Sequence, residues 1–213
     1  DVQNYIDARL EQLRTVEYKY IPEAEWNKVK DKLANMEDNV FMLSQNMNLF
    51  DPVQSRYESE KNRVVISPGQ VKDENVNIAS IIANEVEHAV GATNPYRKDA
   101  KISTMPEKED SMIRSAFRTE YYDDPSVDVH DMRPHEIKSD IGTLRFELYH
   151  EGIYDAGKED FNQGHLDYIK ENPGKFAKWP VLNKAFEDED LIKLMNELTK
   201  GEVVDDIPQG DVK

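Results

Sequence analysis

Apolar positions along the chain recur mostly at intervals of three and four, the spacing of one helix face. Val2, Ile6, Leu10 and Leu13 mark a first helix over residues 2 to 14. A second helix is predicted to begin at Pro22, because proline suits the first helical turn. Its apolar positions are Trp26, Val29, Leu33, Met36, Val40, Leu43, Met47 and Phe50, and the intervals alternate 3, 4, 3, 4, 3, 4, 3. That is a heptad seam, and it asks for a helical partner in this chain or on another molecule.

Polar, turn-rich "DPVQSRYESEKN" predicts a loop, and "RVVIS" (63 to 67) a short β-branched strand stopped by "PG". The next helix is expected from about Glu74 to Val90, with Gly91 just past its end. "GATNPYRKDAKISTMPEKED" reads as a polar connection, residues 109 to 122 as a helix and "DDPSVDVHDMRP" as a loop. A long helix follows from Pro134 to about Glu151 with Gly152 behind it, then short helices near 162 to 171 and 188 to 199. There is no internal repeat. The expected fold is α+β and mostly helical, with an N-terminal helical arm (1–50) packing on a domain over 51–200. A flexible acidic tail, "GEVVDDIPQGDVK" (201–213), is expected to follow.

Composition narrows the function classes. With 213 residues, 38% hydrophobic and 33% charged, the chain suits one domain with a wet surface. No apolar run approaches the roughly 20 residues that cross a bilayer, so no membrane association is expected. The opening "DVQNYIDARLEQLR" lacks the basic start and apolar block of a signal peptide, and the absence of an initiating Met suggests a processed or engineered start. A net charge of −16 without a basic stripe disfavours nucleic acid as a partner. The chain has no Cys, so any metal would have to use His, Asp or Glu.

One constellation could carry chemistry. In "SIIANEVEHAVG" (80 to 91), Ile81, Asn84, Glu85 and His88 share a helix face, with Ile78, Ile82 and Ala89 opposite. A zinc hydrolase of the HExxH kind needs imidazoles one turn apart converging on the ion, and a Glu after the first to take a proton from metal-bound water. Glu85 and His88 stand in those places, but Asn84 replaces the first imidazole. Downstream, "PHEIKSDIGTLRFELYH" puts Glu136 and Asp140 one turn apart on a second helix.

The order strand "RVVIS", helix "IIANEVEHAVG", helix "HEIKSDIGTLRFEL" resembles the gluzincin branch of the zincin metallopeptidases over roughly residues 60 to 152. The resemblance implies an edge strand above a cleft, an active-site helix and a glutamate helix. It further implies His88 and Glu136 as zinc ligands, Glu85 as general base, and Asp140 behind them orienting an imidazole. Asn84 departs from the pattern, since an amide oxygen is a poor substitute for an imidazole at zinc. His130 or His135, just before Glu136, are candidate substitute ligands. Otherwise the centre is degenerate: Asn84 joins a metal-free polar network with the carboxylates.

The C-terminal half, "SDIGTLRFELYHEGIYDAGKEDFNQGHL" and "DEDLIKLMNEL", is similar to zincin-like proteins of Bacteroides and of the crAss-like phages that infect them. That similarity implies a structural or accessory part in an assembly, such as a phage virion, or a place in the bacterial cytoplasm. Two functions stand side by side. One is a non-catalytic metallopeptidase-like protein that meets protein partners through its heptad helix and tail. The other is an active zinc peptidase with Glu85 as general base. Trp26 and Trp179 are expected as core or interface anchors, and His150 and His165 at helix ends.

Overall fold

A computed structural model describes residues 2–36, 55–66, 78–93 and 105–198. Its helices are α1 (Val2–Gln12), α2 (Glu23–Asn35), α3 (Ile78–Thr93), α4 (Glu107–Ala116), α5 (Thr119–Asp123), α6 (Pro134–His150), α7 (Gln163–Glu171), α8 (Trp179–Ala185) and α9 (Asp188–Glu197). A π-helical segment, Leu13–Glu17, prolongs α1, and a 3-10 turn spans Pro173–Lys175. Strands β1 (Arg56–Glu58) and β2 (Arg63–Val65) pair antiparallel, with Tyr57 opposite Val64. The described chain is therefore α+β and mostly helical, with one small sheet.

Helix α6 is the wall between two cores. Ile137, Ile141, Leu144 and Leu148 recur at helical spacing and are fully buried among Ile113, Phe161, Phe176, Leu182 and Phe186. The opposite side of α6 meets α3 through Ser139, Asp140 and Gly142. Helix α3 in turn buries Ala83, Val86, Ala89 and Val90 in a second cluster with Ile6, Leu13, Trp26, Leu33, Tyr57 and Ile66. The two helices approach closely because Gly142 has no side chain: a Cβ there would lie 2.4 Å from Glu87 Oε2.

The described half of the heptad seam, Trp26, Val29, Leu33 and Met36, is buried against this chain's own α1, hairpin and α3. Val40, Leu43, Met47 and Phe50 lie outside the described residues, as does the 201–213 tail. Beneath α3, Arg9 bridges Glu17 and Glu87, Tyr5 donates to Glu87 Oε1 (2.7 Å), and Arg145 lies 3.3 Å from Glu17 Oε1. Two guanidinium groups thus meet two carboxylates out of water, which is how buried charge is tolerated.

Several local expectations need correction. The segment expected to be a loop after residue 50 contains β1, because the hairpin turns tightly at Ser59–Asn62 with Asn62 at φ 46°. Asparagine tolerates that left-handed geometry. Its side chain accepts from Tyr57 Oη (2.7 Å) and donates to Lys32 O (2.8 Å), tying the hairpin to α2. Gly91 does not end its helix: α3 runs on to Thr93, whose hydroxyl donates to Val90 O (2.8 Å). The stretch expected to stay a connection up to Asp110 is helical at its end, where α4 begins at Glu107.

The helix expected over 109 to 122 is broken at Phe117, which is extended and bridges Phe186. Their rings stack at 5.0 Å and the Arg118 amide donates to Ala185 O (2.9 Å), so a long-range pairing overrides the local pattern. Helix α8 was not expected; it is short, and buries Trp179, Leu182 and Ala185. Gly152 follows α6 at φ 69°, as its place behind the helix suggested. His165 closes a capping box at the start of α7, its Nδ1 accepting from the Asn162 amide (3.1 Å).

Candidate functional site

The α3–α6 seam carries the polar residues singled out in the sequence. Asn84 and Glu85 are buried on α3, and Asp140 is buried on α6. The Asn84 amide nitrogen donates to Ser139 Oγ (2.9 Å) and Asp140 Oδ1 (3.2 Å), while the Ser139 hydroxyl donates back to Asn84 O (2.8 Å). Asn84 is thereby tied to α6 by side chain and main chain together.

Glu136 is the meeting point of the histidines. His88 Nε2 lies 3.1 Å from its Oε2, and His135 Nε2 (3.1 Å) and His130 Nε2 (3.2 Å) lie by its Oε1. These imidazoles come from α3, from the first turn of α6 and from the loop before it. Burial works to raise the Glu136 pKa, but the hydrogen bonds from His135 and His88 outweigh it and hold the carboxyl well below the usual range. Burial likewise works against the charged form of His88, yet its bond to Glu136 leaves the imidazole raised above its ordinary value.

The remaining carboxyls are pushed the other way. Burial raises Glu85, opposed by His88, by Lys178 and by a hydrogen bond from the Tyr57 backbone amide. Burial also raises Asp140, opposed by Lys178, whose Nζ stands 2.7 Å from Asp140 Oδ1. Two helical turns further along, Glu147 is raised by burial; it accepts from Ser80 Oγ (2.5 Å) and the Ala177 amide (3.2 Å). Its second oxygen has no hydrogen-bond partner among the described residues.

Every sequence-derived site residue is therefore on or beside this seam. Asn84 and Asp140 join one network, and His88, His130, His135 and Glu136 another, while Glu85 lies near both. The donor set departs from the zincin pattern at Asn84. Asn84 gives its amide nitrogen to Ser139 and Asp140, and Asp140 also pairs with Lys178. Among the described residues no three His, Cys, Asp or Glu side chains are arranged to hold one ion. Sequence reasoning missed Lys178, which reaches the seam from a distant segment and carries no spacing signal, and also Ser80 and Glu147, which their helical spacing from Asn84 and from Asp140 could have placed on the same two faces. A cavity of about 410 Å³ elsewhere, lined by Arg118, Tyr121, Asp124, Lys184 and Glu187, shares no residue with the seam.

Compared with protein-family models, with curated proteins and with solved structures, the chain matches none. Among the described residues no helix is long and apolar enough to cross a membrane.

Proposed function

We propose that this chain is a zincin-like protein whose metal centre has become a polar lock between two helices. It serves without catalysis as a structural or accessory component of an assembly, in the manner of a virion protein. One observation carries the proposal: Asn84, at the first ligand's position, donates to Ser139 and Asp140 across the seam. The amide keeps a bond to the Asp140 carboxylate, as the outer N–H of a metal-bound imidazole would, but offers no ring nitrogen to an ion, so the substitution retains the link between the helices and gives up a ligand. The rest of the heptad seam, Val40, Leu43, Met47 and Phe50, and the acidic tail are its contact elements for protein partners.

Metal analysis of the chain purified without chelator tests this directly. Less than about 0.1 zinc per chain is expected, as for a site short of ligands. Stoichiometric zinc together with Glu85-dependent peptide cleavage overturns the proposal. Asn84→His is the complementary variant: a former zincin gains zinc affinity sharply, whereas an unrelated helix pair gains none. For the assembly role, Leu43→Glu with Met47→Glu is expected to lower the association state seen in sedimentation of the full chain.

The rival function is an active zinc peptidase, and the three imidazoles meeting on Glu136 favour it. There His88 and Glu136 would hold the ion with His130 or His135 in place of Asn84, and Glu85 would be the base. The metal analysis separates the two.

A further inference from the structure

Lys178 enters the seam from the segment just before α8, far from α3 and α6 in sequence. Its neighbours hold it there. Phe176 and Trp179 are buried in the core, and the Ala177 amide donates to Glu147 Oε1 (3.2 Å). The residues on either side anchor the backbone here, and the Lys178 Nζ reaches Asp140 Oδ1 at 2.7 Å. That oxygen is the one that also accepts from Asn84, so amide, ammonium and carboxylate meet at a single point. The Lys178 side chain is 29% exposed against 7% for Asp140, so a partly exposed lysine pairs with a buried carboxylate.

The surroundings are acidic. Glu85, Glu136, Asp140 and Glu147 all lie close enough to Lys178 for its charge to act on them or theirs on it. Carboxylates gathered out of water need a compensating cation. The histidines answer Glu136, and none of them pairs with Asp140. Burial works against the Lys178 ammonium, yet Asp140 more than offsets it and the pKa is raised, so the amine stays charged.

The geometry points to Lys178 as the resident cation of the α3–α6 seam: its ammonium supplies the positive charge that a divalent ion would otherwise bring to these carboxylates. This inference rests on the polar-lock function proposed above and explains why such a lock is stable: the charge is built into the chain. A lysine fits the role because a compact point charge on a long stem can be delivered from the side.

The test titrates Zn2+ and Co2+ into the full chain as wild type, Lys178→Met and Lys178→Arg, following Co2+ absorption and metal stoichiometry. Removing the ammonium leaves the carboxylates uncompensated, so Lys178→Met is expected to bind either ion about tenfold more tightly than wild type or better. Lys178→Arg, which keeps the charge, is expected to match wild type. The inference is overturned if Lys178→Met stays within about twofold of wild type, a change too small to reflect a lost buried charge. It is also overturned if Lys178→Arg gains affinity equally. Should Lys178→Met unfold, Lys178→Gln takes its place, and refolding on addition of either ion supports the inference while failure to refold overturns it. Wild type that already holds one zinc per chain defeats the polar lock itself, whatever the Lys178 variants do.

Discussion

Asn84 donates its amide to Asp140 Oδ1 across the α3–α6 seam at 3.2 Å, and the same nitrogen reaches Ser139 Oγ at 2.9 Å. Both residues are buried, so neither partner has water to fall back on. Asn84→Ala takes a donor from the Ser139 hydroxyl and leaves Asp140 Oδ1 to Lys178 alone. The expected loss is about 1–3 kcal/mol, the range for a buried group left unpaired. Urea unfolding measures it, and an unchanged midpoint would mean that the amide contributes nothing to the seam.

Gly142 matters for a different reason. The atom that an added Cβ would meet, Glu87 Oε2 at 2.4 Å, belongs to a side chain held by Tyr5 Oη (2.7 Å) and Arg9 Nε (2.6 Å). Glu87 cannot step aside without breaking those bonds. Gly142→Ala is therefore expected to destabilise by roughly 1–3 kcal/mol through overpacking, read from thermal unfolding. Full stability in this variant would show that the helices separate at little cost.

Glu17 makes a prediction about acid. Burial works to raise its pKa, but Arg9 and Arg145 override it and bring it from 4.5 down to about 2. A lowered folded-state pKa stabilises above the unfolded value and is lost as pH falls through the folded one. The window is thus pH 4.5 down to about 2. Linkage puts the contribution on the order of 3 kcal/mol. Glu17→Gln is expected to be less stable at neutral pH and to lose much of the stability slope within that window. A slope identical to wild type would remove Glu17 as its source.

Phe186 stacks on Phe117 at 5.0 Å and is 1% exposed. Phe186→Ala is expected to cost about 3–5 kcal/mol, as for other buried aromatic truncations. Because the ring also holds the break between α4 and α5, the double variant with Phe117→Ala should cost less than the sum of the two. Strict additivity in unfolding would mean that the rings do not act as a pair.

Much of the helical architecture was legible in the periodicity. Pro134 and Gly152 marked the limits of α6, and its buried face, Ile137, Ile141, Leu144 and Leu148, keeps the same helical spacing. Positions where the local pattern failed are those where a distant contact intervened. Phe117 leaves helical geometry to pair with Phe186, and Asn62 turns a polar stretch into a hairpin by bonding to α2.

For the candidate site, the sequence by itself placed Asn84, Glu85 and His88 on one helix face and Glu136 and Asp140 on another, because spacing along a helix dictates direction. Only the tertiary structure decided which of those groups meet. It turned the Asn84 amide onto Ser139 and Asp140, drew His130 and His135 to Glu136 beside His88, and delivered Lys178 to Asp140. Hydrogen bonds and ion pairs depend on distances of a few ångströms between segments remote in the chain, and those distances are set by how α6 packs between its two cores, a three-dimensional outcome with no period to read.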